Sequence, residues 1–189
     1  MTPARDRRGP RDALRVAAAV ALCGAVAVAT GCGIVEEVLD PVHAREIAAL
    51  GPDPSGEEGG PTHRAGQPCL VCHGSAGPNG PELSVAGTIY RSKVDTQALR
   101  GAAVSLTDAQ GATRQIDTNR TGNFLVRARD WQPVYPMRVS VSYGGVNVDM
   151  KTHVGREGSC ATCHSDPEGP ASAGHVYLVA DPSMFPGGP

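Results

Sequence analysis

Two pentapeptides carry the chemistry legible in this 189-residue chain: Cys69-Leu-Val-Cys72-His73 and Cys160-Ala-Thr-Cys163-His164. Cys-x-x-Cys-His is the attachment motif of c-type haem. The spacing has a direct physical reason. Residues i and i+3 of one helical turn project to the same side, so both thiols can reach the two vinyl groups on one porphyrin edge. The residue that follows, His73 or His164, then projects under the ring and binds iron as the proximal ligand. Two covalently attached haem c groups are therefore expected, one on Cys69, Cys72 and His73, the other on Cys160, Cys163 and His164. Other chemistries use the same residues. Four thiolates can hold zinc, and four cysteines allow three disulfide pairings. Neither explains a histidine placed directly after each pair. A thioredoxin-like redox site would need a βαβ setting, which the sequence does not provide.

The sixth iron ligands must come from elsewhere. His63 stands six residues before Cys69, and His153 stands seven before Cys160. This parallel placement predicts bis-histidine ligation at both irons, by His73 with His63 and by His164 with His153. Met150 and His175 are the alternatives at the second iron, where a methionine would raise the potential. His43 lies farther up the chain, on a segment that reads as a tether.

The elements around these motifs begin with a targeting segment. Arg5, Arg7, Arg8, Arg11 and Arg15 precede an apolar run, Val16–Ala29. That run is shorter than the roughly 20 residues a membrane span needs. Its end, Ala29-Thr30-Gly31-Cys32, resembles the lipobox of bacterial lipoproteins. The resemblance implies a signal peptide over residues 1–31, cleavage before Cys32 and lipidation of its sulfur. A simple signal peptide and an uncleaved anchor are the other readings, and all three place the remainder outside the cytoplasm. Gly33, rather than Asp, follows the lipid-acceptor cysteine, which implies sorting to the outer membrane, on its periplasmic or cell-surface side.

Residues 32–64 read as a flexible tether, with helical turns over Ile34–Leu39 and Ala44–Leu50 interrupted at Asp40-Pro41. A Gly/Pro-rich acidic stretch follows over residues 51–61. The net charge of −2 hides an asymmetry: five of the 17 basic and two of the 19 acidic residues lie in residues 1–31, leaving 12 against 17 beyond. Nothing here suggests nucleic acid, which wants a basic face, and none is expected as a partner.

Residues 65–182 form the expected domain, and 183–189 a tail. With 24 Gly, 16 Pro and only 4% aromatic residues, its own side chains make a thin core, one that an apolar cofactor would enlarge. Trp131, Tyr135 and Tyr143 are expected in that core or against a porphyrin face. Alternating apolar residues predict strands over 83–90, 102–107, 113–117, 123–127, 137–143, 146–150 and 175–180. Turn chemistry separates them at Asp108-Ala-Gln-Gly111, Asn119-Arg-Thr-Gly122 and Gly144-Gly145. The fold class is mainly β, a single antiparallel β-sandwich of transthyretin or immunoglobulin type, flanked by the two haem segments.

The runs Val85-Ala-Gly-Thr-Ile-Tyr90, Gly101-Ala-Ala-Val-Ser-Leu-Thr-Asp108 and Asp117-Thr-Asn-Arg-Thr-Gly-Asn-Phe124 resemble the carboxypeptidase regulatory-like domain, over residues 83 to about 143. The resemblance implies a transthyretin-like sandwich serving as an accessory fold without peptidase activity. An internal echo accompanies it: Ala86-Gly-Thr-Ile-Tyr90 follows the first haem motif and Ala173-Gly-His-Val-Tyr177 the second. Parallel pairing of these two strands would put both haems at one end of the sandwich.

The function expected is electron transfer by a membrane-anchored dihaem cytochrome, with other periplasmic or outer-membrane redox proteins as partners. Two readings compete with it. A small peroxidase-like haem enzyme needs an open iron with acid–base groups over it, and a haem-containing sensor or binding module needs a ligand-accessible iron. No catalytic residue is legible, so no enzyme activity is expected.

Overall fold

A computed structural model describes residues 40–54, 56 and 59–186. The expected signal peptide, the expected lipid acceptor Cys32 and the turn expected over Ile34–Leu39 lie outside the described residues. Those described belong to one compact unit that starts at Asp40.

The unit is mainly β. Among the described residues seven strands form two sheets: β1 (Leu83–Ser92), β2 (Ala103–Thr107), β3 (Thr113–Asp117), β4 (Asn123–Arg127), β5 (Arg138–Tyr143), β6 (Val146–Asp149) and β7 (Val176–Val179). One sheet runs β4-β1-β7, the other β3-β2-β5-β6. Alternation is clearest in β2, whose Val104 and Leu106 are fully buried while its other side chains are partly exposed. The main core draws on both sheets: Val85, Ile89, Phe124 and Leu178 from the first, Val104, Leu106 and Val141 from the second. Trp131 joins that core, and Tyr135 and Tyr143 pack against it.

The turns do what their residues allow. The Asp108 carboxylate accepts from the amides of Gln110 and Ala112, at 2.9 Å each. The Asn119 side-chain oxygen accepts from Thr121 and Asn123 in the same manner. Gly144 and Gly145, at φ 56° and 84°, supply the two left-handed residues of the β5–β6 hairpin.

Pairing between the named strands is antiparallel except at one place. β1 and β7 run parallel, with Ile89 opposite Val176 and Tyr90 opposite Tyr177. The all-antiparallel expectation fails here because a chain that passes through five further strands returns to β1 in the same direction. The two echoed pentapeptides therefore lie side by side in register.

The segment expected to be a flexible tether carries α1 (Pro41–Ala49). Asp40 caps it, accepting from the Val42 amide at 2.8 Å, and Pro41 occupies its first position. Proline here opens a helix rather than ending one, because the first helical turn needs no donor from it. The chain after α1 is tied down as well: the Asp53 carboxylate accepts from the Arg64 amide at 3.0 Å, and the Gln67 amide donates to the Leu50 carbonyl at 2.8 Å.

Candidate functional site

The two Cys-x-x-Cys-His segments fold alike. The first forms α2 (Leu70–His73), one turn begun by Cys69. The second forms a 3-10 turn, Cys160–Thr162. In each, the second cysteine donates its amide to the carbonyl of the first, at 3.2 and 3.1 Å. The histidine amide reaches the same carbonyl, at 2.9 Å in both. A residue beyond each motif then donates back to its second cysteine: Asn79 to Cys72 at 3.1 Å, Ala173 to Cys163 at 2.9 Å. No disulfide joins the four thiols, and no set of three or more His, Cys, Asp or Glu side chains converges on a metal-sized point among the described residues.

The histidine that ends each motif is oriented by backbone carbonyls. His73 Nδ1 lies 3.1 Å from the Asn79 carbonyl and 3.2 Å from that of Pro81, and His164 Nδ1 lies 3.0 Å from the Gly174 carbonyl. A carbonyl can only accept, so Nδ1 carries the proton in both rings. That leaves each Nε2 lone pair available to a metal, which is how ligating histidines are usually held.

His63 faces His73, with ring centroids 5.7 Å apart at 61°. Two imidazoles bound to opposite sides of one metal through nitrogens about 2 Å from it have centroids about 6 Å apart. His63 Nδ1 contacts the Gly60 carbonyl, so its Nε2 is likewise free. Cys69, Cys72, His63 and His73 all line one cavity of about 520 Å³. Leu50, Leu83 and Leu125 give it apolar wall, while Arg64 and Arg127 stand at its lining as cations. The donor set, the volume and the apolar walls fit a haem, and the two guanidiniums fit its propionates. Sequence reasoning missed both arginines. Arg64 has one signal only the backbone reveals: at φ 52° it is the single non-glycine residue with positive φ among those described, a strained conformation held next to His63. Asn123 fastens the same loop, its side-chain nitrogen donating to the carbonyls of His63 at 3.1 Å and Pro61 at 3.3 Å.

The second segment is built against β1. Its Cys160 packs beside Gly87, where a Cβ would lie 2.8 Å from both Cβ and Sγ of Cys160 and 2.9 Å from the Phe124 ring. Only glycine leaves room for the thiol. Ala86 and Ser159 form a parallel bridge alongside. Burial pushes the Cys160 thiol up to about 12, and the nearby Cys69 thiol adds to the rise. Burial pushes Cys69 itself up to about 11. The leading cysteines of the two motifs are therefore electrostatic neighbours.

The other candidate ligands stand elsewhere. His153 is exposed in a groove with Ser105, Arg138 and Met150, and its Nε2 accepts from Arg138 Nε at 3.3 Å. His175 is buried, with Nδ1 2.8 Å from an Asp166 carboxylate oxygen and Nε2 2.9 Å from the Ser92 carbonyl. Its ring also meets those of Tyr90 and Tyr177 edge-on, at 4.8 and 6.2 Å. His43, on α1, bonds Glu46 at 3.3 Å.

No protein-family model matches this chain, and no curated protein or solved structure is similar to it.

Proposed function

We propose that this chain is an exported c-type cytochrome that carries two covalently bound haems and transfers electrons, anchored to a bacterial membrane through Cys32. One observation carries the reading. Two segments 91 residues apart (Cys69 and Cys160) repeat the same local fold, and each ends in a histidine whose Nδ1 is satisfied by a backbone carbonyl. Two zinc-binding or disulfide-forming Cys-x-x-Cys turns would have no use for that pair of oriented imidazoles.

Haem supplies the one-electron chemistry when bound, and the residues of this chain do the rest. Cys69 and Cys72 hold the first group covalently. His73 and His63, which line the same cavity, would hold its iron. Arg64 and Arg127 neutralise its carboxylates. Cys160, Cys163 and His164 hold the second group. The neighbouring Cys69 and Cys160 thiols, and the in-register pairing of β1 with β7, support two cofactors at one end of the molecule, within reach of each other. In this reading the two sheets form a transthyretin-like β-sandwich of carboxypeptidase regulatory type, serving as scaffold. The partners are other redox proteins outside the cytoplasm, met through small transient interfaces.

The test is to express the chain with a c-type haem maturation system, denature it, extract unbound haem and record the spectrum. Two retained haems per chain, falling to one in Cys160→Ala/Cys163→Ala, are expected. A chain that retains none is no cytochrome, and its cysteines then return to zinc or disulfides.

A further inference from the structure

The chain has six histidines, and the structure sorts them by which ring nitrogen is engaged. His73 and His164 each give Nδ1 to a backbone carbonyl and keep Nε2 free. His63 does the same with the Gly60 carbonyl. His43 joins them through a side chain: its Nδ1 lies 3.3 Å from a Glu46 carboxylate oxygen. A carboxylate accepts and does not donate, so the Nδ1 proton points to Glu46 and Nε2 carries the lone pair. The other two differ. His175 has both nitrogens engaged, by Asp166 and by the Ser92 carbonyl. His153 has its Nε2 lone pair taken by Arg138. Four histidines thus offer a free Nε2, and two six-coordinate irons take four axial donors.

Burial sets His43 further apart. Its side chain is 15% exposed, and Nε2 is fully buried with no hydrogen-bond partner. Among the described residues one other buried side-chain polar atom is in that condition: Ser159 Oγ, on the residue that precedes Cys160. Buried polar atoms without partners are uncommon, and each calls for a specific cause. An imidazole whose Nδ1–H is held by a carboxylate, with Nε2 bare, is the form in which histidine binds a metal. Its place in the fold says which metal. His43, Ile47 and Leu50 recur at i, i+4 and i+7 and share the half-buried face of α1. Leu50 lines the cavity of His63 and His73. His43 stands seven residues earlier, about 10 Å back along the helix, and is not part of that lining. α1 packs against α2, and Cys69, which begins α2, is the electrostatic neighbour of Cys160.

We propose that His43 supplies the sixth ligand of the second haem through Nε2, paired with His164, and that Glu46 is the carboxylate that orients it. The inference rests on the dihaem reading above. It gives each iron two imidazoles, His73 with His63 and His164 with His43, and leaves His153 and His175 to their own partners. Ligation then ties α1 to the second attachment turn.

The experiment uses the purified dihaem protein, with covalent haem counted by mass spectrometry. Both ferric haems of the wild type should be low-spin, and the reduced protein should bind no carbon monoxide. His43→Ala should keep two covalent haems, turn one of them high-spin and take up one carbon monoxide per chain. Added imidazole should restore the low-spin spectrum. Ile47→Ala loosens the same helix face without touching the ligand and should leave both haems low-spin; a high-spin haem there would reduce His43 to a packing residue and overturn the inference. In Cys160→Ala/Cys163→Ala, which keeps the first haem alone, adding His43→Ala should leave the spectrum unchanged. A change there would give His43 to the first iron and overturn the assignment. Two covalent haems that both stay low-spin in His43→Ala overturn the inference and leave the cytochrome reading intact, as does a high-spin haem in the wild type. Absence of covalent haem overturns both readings.

Discussion

At the scale of single residues, the two leading cysteines differ from the two that follow them. Burial raises Cys69 to about 11 and Cys160 to about 12. At pH 8 roughly a thousandth or less of each is thiolate in the folded apo-chain, since each unit of pKa above the pH costs tenfold. The apo-chain should therefore be alkylated slowly at Cys69 and Cys160 and faster at Cys163, which is exposed; peptide mapping after iodoacetamide treatment reads this directly. The sign for stability follows. A thiol whose folded pKa is raised keeps its proton in the native state after the unfolded chain has lost it. Stability of the apo-chain is then undiminished below pH 9, and falls as pH rises from 9 towards 12. Once both sulfurs are thioethers these groups no longer titrate, so that alkaline loss should vanish in the haem-loaded protein. Urea midpoints at pH 8 and pH 10 for the two forms check the prediction.

Much of this residue-level site was legible in the sequence. The two Cys-x-x-Cys-His turns and the placing of His63 beside His73 follow from a five-residue motif and a short upstream offset. Arg64 and Arg127 were not legible, because nothing in their spacing relates them to the haem motif: one sits on a loop fixed by Asp53 and Asn123, the other ends β4. The upstream offset sets His63 in ring contact with His73, while His153 lies in the groove with Arg138 and Met150. His63 reaches back through a loop fastened to β4 by Asn123, whereas the chain near His153 is drawn to β5 by the bridge between Met137 and Val154.

At the scale of elements, β1 holds both attachment segments. Gly66 of the first donates its amide to Thr88 at 2.8 Å, and Cys160 of the second seats on Gly87. Gly87→Val would drive a branched side chain into the Cys160 sulfur and the Phe124 ring. Loss of the second haem with retention of the first is the expected outcome, measured as haem per chain. Phe124→Ala removes a fully buried ring and should cost about 3–5 kcal/mol, seen in the denaturation midpoint of the whole unit. The strand boundaries were accessible to pattern reading because side-chain alternation and Asx turns are both local. The start of α1 was not, since a proline reads as a breaker until the residue before it is known to cap the helix. The parallel pairing of β1 with β7 is a long-range fact, visible beforehand only as an echo between two pentapeptides.

At the scale of the whole molecule, the proposed reading makes the two haems one electronic unit. If Cys69 and Cys160 anchor neighbouring porphyrin edges, oxidation of one haem raises the work of oxidising the other through their mutual charge. Redox titration should then give two separated midpoints in the wild type. In Cys160→Ala/Cys163→Ala, which keeps one haem, the remaining midpoint should move away from both. Two midpoints that stay put on removal of a neighbour would mean independent centres. The described residues include no helix long and apolar enough to cross a membrane. The acidic excess beyond residue 31 favours partners with a basic face, and the association rate should fall with added salt.

The β1–β7 register also sets an order of events during folding. Ile89 and Val176 are partners although 87 residues separate them, and contacts of such long sequence separation close late, after the local hairpins β2–β3 and β5–β6 have formed. In the proposed cytochrome reading, a chain emerging from its exporter presents the first attachment turn well before the second. The strand that β7 will join is by then already paired with β4. The first cofactor can be fastened on a half-made protein, while the second awaits the last strand. In refolding of the apo-chain, Cys160 should be the last of the four thiols to become shielded from alkylation, and the step that shields it should coincide with completion of the three-stranded sheet.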